Sequence, residues 1–263
     1  MKSKRTLAVA MAAGIAAGTA LFLISCSTVA DRPVAPLEIP GAHFVGNQVC
    51  FQCHTQITRA FAASPHAHLV VQDAVLPGGT GCESCHGPGS KHVEAGGSGQ
   101  FIINPGKEPE ACFRCHLETH AEFQLPVHHP VVEGHMNCVQ CHDPHGGDIF
   151  KQAGGLAMAR QNGSCAECHR EQTRPFVFEH PAMREGCATC HNPHGSINRA
   201  MLTQAGNNLC FRCHAQTQGP GMPPGEIFIG NTPHAAYLQM GTCWAAGCHT
   251  AVHGSDVDPR LRY

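Results

Sequence analysis

The motif Cys-x-x-Cys-His, with a histidine directly after the second of two closely spaced cysteines, constrains this chain more than any other feature. It occurs seven times, beginning at Cys50, Cys82, Cys112, Cys138, Cys165, Cys187 and Cys210. An eighth copy, which runs from Cys243 to His249, has a wider gap between its cysteines. This spacing is the attachment signature of haem c (heme c). The two thiols become thioethers to the porphyrin, and the adjacent imidazole binds the iron.

Zinc sites and disulfide scaffolds also use many cysteines, and this chain has 17. A zinc site does not need a histidine directly after the second cysteine every time. A disulfide scaffold accounts for paired cysteines but not for the 21 histidines. The low aromatic content of 6% also favours haem, because a chain of this length usually fills its interior with more large side chains. We therefore predict eight haem c groups.

Covalent attachment and proximal ligation follow directly from the motifs. The predicted attaching cysteines are Cys50, Cys53, Cys82, Cys85, Cys112, Cys115, Cys138, Cys141, Cys165, Cys168, Cys187, Cys190, Cys210, Cys213, Cys243 and Cys248. The predicted proximal ligands of the haem iron are His54, His86, His116, His142, His169, His191, His214 and His249.

The motifs form a repeat of two that occurs four times. In each repeat a histidine follows the first motif at a distance, and another follows the second motif closely. Fixed order of this kind indicates repeated structural units. Eight spare histidines for eight haems predict bis-histidine ligation throughout. The predicted distal ligands are His66, His92, His129, His145, His180, His194, His234 and His253.

The short spacing between His191 and His194 constrains which haem each distal histidine serves. Three residues span at most about 10 Å, whereas two trans ligands must approach the iron from opposite faces. His194 therefore cannot serve the haem of its own motif. We expect an exchange within each repeat, in which the close histidine caps the first haem and the distant one caps the second. His194 would then serve the haem attached at Cys165 and Cys168.

Two of the distal assignments have a neighbouring competitor. His68 competes with His66, and His128 competes with His129. We prefer His66 and His129 because they keep the repeat. The dipeptide beginning at His129 also matches the His-Pro dipeptide at His180.

The remaining candidates lie near the motifs without fitting the repeat. His120 and His135 are near enough to be alternatives in the second repeat, and His43 precedes the first. We expect these side chains to lie at the surface or to contact propionates. Met136 and Met183 are also near motifs, but methionine ligation is not needed because the histidines suffice.

Composition predicts the fold class. The 29 glycines and 19 prolines interrupt most of the chain, which favours short elements there. We predict a multihaem cytochrome c of mostly irregular coil, with short α-helices wrapped around a chain of eight haems and little or no β-sheet. One longer helix is predicted over 197–212, where apolar residues recur at helical spacing.

The predicted domain organisation has four parts. Residues 1–25 form a lipoprotein-type signal peptide, 26–42 a lipid-anchored linker, 43–253 the octahaem cytochrome c domain with its four two-haem repeats, and 254–263 a C-terminal tail. The tetrapeptide Leu23-Ile24-Ser25-Cys26 resembles a bacterial lipobox, so Cys26 is predicted to be lipidated. A retained membrane anchor and an ordinary cleaved signal remain open. All three alternatives predict export.

The predicted location is the periplasmic side of an outer membrane, lipid-anchored, with a free periplasmic form as the alternative. By resemblance to known sorting signals, Ser27 after the lipidated cysteine favours the outer membrane. The formal net charge is −2 and no basic patch is present, which argues against a nucleic acid partner.

The later motifs and their flanks resemble the MtrA/DmsE-type periplasmic decahaem cytochromes. The resemblance rests on Arg174-Pro175-Phe176, Glu179-His180-Pro181, Cys187 to Ser196, Cys210 to His214 and Val252-His253-Gly254-Ser255, together with Cys82 to His92. It implies a cytochrome inserted into an outer-membrane β-barrel porin. Small periplasmic cytochromes would donate electrons, and an extracellular multihaem cytochrome would accept them. This chain departs from the family in having eight motifs rather than ten, a lipobox-like cysteine and a wide eighth motif.

The predicted function is electron transfer from periplasmic donors across the outer membrane towards extracellular acceptors, as part of a porin–cytochrome conduit and without enzymatic activity. One alternative is a periplasmic carrier that donates to a dedicated terminal reductase. Two more are a multihaem reductase of nitrogen or sulfur oxyanions and a polymeric surface filament. Trp244, inside the wide eighth motif, either packs on its haem or marks a special terminal haem.

Overall fold

A computed structural model describes residues 36–68, 81–146, 162–214, 216–217, 223–229, 232–245 and 247–262. The predicted signal peptide 1–25, the predicted lipidation site Cys26 and the first part of the linker lie outside the described residues. Among the described residues, no helix combines the length and the apolar character needed to cross a membrane.

The α-helices are short and flank the motifs. They are α1 (Asn47–Phe51), α2 (Thr55–Phe61), α3 (Cys82–His86), α4 (Ser90–Glu94), α5 (Glu110–Phe113), α6 (Leu117–Glu122), α7 (Arg170–Thr173), α8 (Asn208–Phe211) and α9 (Ala235–Met240). Residues 162–166 are also helical. Single turns occur at Pro65–His68, Gly99–Phe101, Cys138–Gln140, Pro181–Glu185, Cys187–Thr189 and Arg199–Met201. Helices of this length are not stable by themselves in water, so other contacts hold them.

The strands are two residues long. In a two-stranded sheet, β1 (Phe178–Glu179) pairs antiparallel with β5 (Gly254–Ser255). In a three-stranded sheet, β2 (Gln216–Thr217), β3 (Phe228–Ile229) and β4 (Thr232–Pro233) pair antiparallel in that order. Short helices, irregular coil and little sheet confirm the predicted fold class.

Side chains alone form only a small core among the described residues. Phe113, Phe123 and Val131 are the buried apolar residues, and Val132 and Met136 pack against them. Burying one such side chain contributes about 1.5–3 kcal/mol, whereas ordering one residue's backbone costs about 1–2 kcal/mol. Three buried side chains cannot offset the entropic cost of ordering the backbone of all the described residues. Prosthetic groups must therefore supply most of the interior.

The helix predicted over 197–212 is wrong in extent. Only α8 and the single turn Arg199–Met201 are helical there, and Ala200 and Met201 have positive φ angles of 55° and 54°. Left-handed residues cannot continue an α-helix. The backbone instead pairs with the sixth motif, because Thr203 N donates to Cys190 O at 2.9 Å. Tertiary hydrogen bonds thus override the local apolar pattern.

A buried carboxylate holds the start of the haem region. Glu83 lies inside the second motif and is 5% exposed. It accepts hydrogen bonds from the backbone N–H groups of Val45, Gly46 and Gly89, the shortest measuring 2.9, 2.7 and 2.8 Å. Hydrogen bonds to a charged acceptor are stronger than neutral ones, so Glu83 fastens the segment before the first motif to the second motif.

The segment predicted as a C-terminal tail packs back on the third repeat. In addition to the pairing of β1 with β5, Arg174 Nη2 lies 2.8 Å from Asp256 Oδ2. Its guanidinium also lies 4.2 Å from the ring centroid of Phe176. The described part of this segment, 254–262, is therefore packed against the third repeat, and it is called the C-terminal strap below.

Candidate haem-binding sites

Each motif folds into the same closed turn. The backbone N–H of the motif histidine donates to the carbonyl of the first cysteine, at 2.9 Å for His54 and 2.8 Å for His142. The wide eighth motif closes in the same way, with His249 N 2.9 Å from Cys243 O. The turn brings two thiols and an imidazole together in every motif, which is the arrangement that haem attachment requires.

Seven motif histidines face a second histidine ring at nearly constant distance. Two imidazoles bound through Nε2 on opposite sides of one metal, at about 2.0–2.1 Å each, have ring centroids about 6 Å apart. The observed centroid separations are 6.0–6.2 Å, in the pairs His54–His92, His66–His116, His86–His145, His129–His169, His142–His194, His180–His214 and His191–His253. These residues fit bis-histidine haem.

The partners differ from those predicted. Among the described residues, only one half of the expected exchange is seen, in the first repeat, where the close histidine His92 faces His54. The distant histidines of the first three repeats face the first motif of the next repeat, as His66 faces His116. A close histidine faces the second motif of the preceding repeat, as His194 faces His142.

The prediction that His194 ligates the haem attached at Cys165 and Cys168 is therefore wrong. His169, which belongs to that motif, faces His129. His191 and His194 belong to different pairs, as the short loop between them requires. Their partners lie outside their own repeat because the fold joins neighbouring repeats.

The eighth site lacks such a pair. Within the described part of the chain, His249 and His234 form no ring contact with each other. The ring of His234 lies instead 5.9 Å from Tyr237, edge to face. His234 and His249 remain the predicted ligands of this site, but the structure does not bring them together.

Hydrogen bonds set the tautomer of many of these imidazoles. A carbonyl can only accept, so an Nδ1 atom bonded to one carries the proton and leaves the Nε2 lone pair available to a metal. The Nδ1 atoms of His86, His92, His129, His180, His191, His234 and His249 donate in this way to the carbonyls of Ile103, Ser98, Pro193, Val252, Ala200, Thr232 and Arg260, at 2.6–3.0 Å. His194 differs, because its Nδ1 donates to the carboxylate of Glu122 at 3.0 Å.

The competing histidines have other contacts. His128 forms an ion pair with Glu133 at 2.8 Å. The hydrogen bond to Glu133 raises the pKa of His128 above its usual value. His120 stacks on Phe113 with ring centroids 4.4 Å apart. His129, in contrast, faces a motif histidine, which favours it over His128 as a ligand.

The first cysteines of the two motifs in each repeat influence each other. Burial raises the pKa of the Cys50 thiol to about 11, and the nearby Cys82 thiol adds to the rise. In the second repeat a hydrogen bond from Cys112 lowers the pKa of Cys138 to about 7. Cys165 acts in the same way on Cys187 in the third repeat. In the fourth, burial raises the pKa of Cys210 to about 12, with Cys243 as the next cause.

The second cysteines influence each other electrostatically across repeats. Burial raises the pKa of Cys85 and of Cys141, and the second cysteine of the following motif, Cys115 or Cys168, adds to each rise. Burial likewise raises the pKa of Cys190, where Arg212 opposes the rise and Cys213 adds to it. The influence therefore alternates between first cysteines and second cysteines and follows the motifs in sequence order.

An asparagine bridge, which was not predicted from the sequence, joins the two motifs in three repeats. The side-chain oxygens of Asn47, Asn162 and Asn207 accept from the backbone N–H groups of Cys82, Cys187 and Cys243, at 2.9, 3.1 and 2.7 Å. Each asparagine lies three residues before the first cysteine of its repeat, and the second repeat has Pro109 there. This recurrence was visible in the sequence as a signal.

Comparison with known proteins agrees with this geometry. The family model described as doubled CXXCH motif matches residues 128–174 and 180–219. The chain is 32% identical to multiheme cytochrome MtrA of Shewanella baltica over 215 residues, which cover 80% of this chain and 58% of the relative. It is 27% identical to C-type polyheme cytochrome OmcB of Geobacter sulfurreducens over 202 residues, which cover 66% and 26%. It is 26% identical to dissimilatory sulfite reductase MccA of Wolinella succinogenes over 172 residues, which cover 47% and 23%.

The closed attachment turns, the facing imidazoles and these matches define a multihaem c-type cytochrome. More particularly, the chain is a relative of the MtrA-type multihaem cytochromes, to one of which it is 32% identical over 215 residues. It spans little more than half the length of the Shewanella relative and about a quarter of the other two, at 58%, 26% and 23%.

Proposed function

We propose that this chain holds eight haems in a row and conducts electrons along them. The observation that carries the proposal is the set of seven imidazole pairs, each with centroids 6.0–6.2 Å apart. When bound, haem c supplies a one-electron couple between ferric and ferrous iron. At the seven paired sites the chain would contribute ligands to both faces of the iron, which would leave no position open for a substrate there and favours transfer over catalysis.

The proximity of the cysteines supports the order of the row. Adjacent motifs interact through first cysteines within a repeat, by a hydrogen bond at Cys112 and Cys138, and through second cysteines between repeats, by an electrostatic effect of Cys168 on Cys141. Each attachment point therefore has a neighbour on either side, except at the two ends. This arrangement supports a single unbranched path from the first site to the eighth.

The proposed setting is a porin–cytochrome conduit. Lipidation at Cys26 would anchor the chain on the periplasmic side of an outer membrane, and a β-barrel porin would surround it. Small periplasmic cytochromes would donate electrons, and an extracellular multihaem cytochrome would accept them. The similarity to MtrA supports this setting, and the outward direction of electron flow is part of the proposal.

The holoprotein, produced with haem-attachment machinery, tests the core of the proposal. Intact mass should show eight covalently bound haems, and ferric spectra should be low-spin at the seven paired sites. Fewer than eight haems, or high-spin iron at several sites, would contradict it. Isolation of the native protein from membranes together with a β-barrel subunit tests the conduit. Recovery from the periplasm without one favours the carrier alternative.

A second candidate function is reduction of an oxyanion at the eighth site. Two observations favour it: the similarity to MccA, and the absence of a facing histidine at His249 within the described residues. Voltammetry of the holoprotein with and without sulfite separates the functions. A catalytic current that depends on sulfite would support a reductase, whereas unchanged reversible waves would support electron transfer alone.

A further inference from the structure

Glu122 and His194 form a hydrogen-bonded contact between the second and third repeats. Glu122 Oε2 accepts from His194 Nδ1 at 3.0 Å, and the other carboxylate oxygen accepts from Asn192 Nδ2, also at 3.0 Å. The Asn192 side-chain oxygen in turn accepts from the backbone N–H of His194 at 3.2 Å. Both oxygens of the carboxylate are therefore engaged, and its orientation towards the imidazole is set.

The backbone brings the two side chains together closely. A Cβ atom at Gly195 would lie 2.1 Å from the carbonyl oxygen of Glu122, so no larger residue fits without displacing backbone. The bridge between Val127 and Ser196 closes the same contact, with hydrogen bonds of 3.2 and 2.8 Å. The buried ring of Phe123 lies 5.3 Å from the ring of His194. The contact is therefore part of the fold and not a chance meeting of surface groups.

The acceptor at His194 differs in kind from the carbonyls that fix seven other predicted ligands. A carboxylate is a stronger acceptor than a carbonyl and draws the Nδ1 proton towards itself. The imidazole then becomes more basic at Nε2. A more basic ligand, together with a nearby negative charge, stabilises ferric iron more than ferrous iron, because ferric iron carries one more positive charge.

We propose that Glu122 is a positioning residue that lowers the reduction potential of the haem attached at Cys138 and Cys141, by hydrogen bonding to its ligand His194. The inference rests on the proposed function, in which His142 and His194 are the axial ligands of this haem. This haem is the fourth of the eight, so the carboxylate places a less readily reduced site in the interior of the row.

The test is a redox titration of holoprotein carrying Glu122→Gln. Glutamine retains a carbonyl acceptor but removes the charge, so the haem should stay low-spin while its potential rises. About one-eighth of the absorbance change should move. At a fixed applied potential, the ferric-to-ferrous ratio of that fraction should fall on the order of tenfold, which corresponds to about 59 mV for one electron. Glu122→Asp, which keeps the charge, should recover part of the shift.

Glu118→Gln is the matched control, because it removes the same charge from an exposed position on the same helix, α6. Water screens exposed charges, so this variant should shift the titration much less. An unchanged titration in Glu122→Gln, or an equal shift in the control, would overturn the inference. His194→Ala tests the underlying ligation. If His194→Ala produces new high-spin iron but Glu122→Gln produces no shift in potential, only the tuning is refuted. If His194→Ala keeps fully low-spin spectra, the proposed ligation by His194 is refuted.

Discussion

The first seven sites and the eighth share one attachment turn but differ in what faces the imidazole. At the seven sites a histidine from elsewhere in the chain faces the motif histidine, and the centroids of the two rings are 6.0–6.2 Å apart. At the eighth, His249 closes its turn onto Cys243 at 2.9 Å, yet His234 lies beside Tyr237. Attachment is therefore a local property of the motif, whereas axial pairing is a tertiary property that depends on neighbouring repeats.

The comparison also separates two kinds of ligand contact. His145 belongs to the second repeat and faces His86 of the first. His234 belongs to the same repeat as His249 and would join no two repeats. Six of the seven facing pairs thus join two repeats, and under the proposed ligation they would help to connect the repeats, while ligation at the eighth site would be confined to one end.

Removal of every haem is the variation with the largest expected effect. A chain expressed without haem-attachment machinery should be unfolded, because its described core has only three buried apolar side chains, Phe113, Phe123 and Val131. Far-ultraviolet circular dichroism and limited proteolysis measure this. A cooperative thermal transition in the haem-free chain would show that side-chain packing carries the fold, and the contrast between sites would then have no bearing on stability.

Single ligand replacements sharpen the contrast. His145→Ala should convert about one-eighth of the haem to high-spin iron and should lower the denaturation midpoint of the holoprotein, because the link between two repeats is lost. His234→Ala should produce a similar high-spin fraction if it completes the eighth site, but a smaller loss of stability. His128→Ala is the control and should leave the spectra unchanged, since His128 pairs with Glu133. Equal losses of stability in the two ligand variants would refute the distinction.

The next largest effect is expected at Glu83, which fastens the segment before the first motif to the second motif and is called the N-terminal clamp below. Glu83→Ala leaves the N–H groups of Val45, Gly46 and Gly89 without their buried acceptor, which should cost on the order of 3 kcal/mol in the free energy of unfolding. Denaturant titration of the holoprotein measures it, with Glu94→Ala, exposed on α4, as the control. If the two variants lost equal stability, the clamp would have no special role.

The smallest effect is expected at the C-terminal strap. The hydrogen bond from Arg174 lowers the pKa of Asp256 below its usual value. A carboxyl with a lowered pKa in the folded state contributes stability above its unfolded pKa and loses it as the pH falls through the folded value. Asp256→Asn should therefore lower the melting temperature slightly at neutral pH, and should leave it unchanged at a pH below the pKa of Asp256 in the folded protein. Because both groups are exposed, a large change at neutral pH would contradict this expectation.

The closed turns of the motifs follow from the sequence because each depends on a few adjacent residues, whereas covalent attachment at their cysteines stays a prediction. The preference for His129 over His128 was also accessible, since it came from the repeat order and the following proline. The fold class followed from composition in the same way.

Axial partners were not predictable from spacing, because His66 and His194 find their partners in a neighbouring repeat. Loop length states which pairs are impossible but not which distant segment approaches. The helix predicted over 197–212 failed for a related reason, since the backbone at Met201 and Thr203 bonds to Asn192 and Cys190 in and just after the sixth motif.

The crossing of partners between repeats has a consequence for how such a chain is made. As the polypeptide is synthesised from its N-terminus, the motif that begins at Cys82 emerges well before His145, and the motif that begins at Cys138 emerges before His194. Under the proposed ligation, those haems wait with one face incomplete until the next repeat arrives. His66, His129 and His180, in turn, are already present when their partners appear. Each repeat thus both finishes its predecessor and prepares its successor, so maturation proceeds as a relay along the chain.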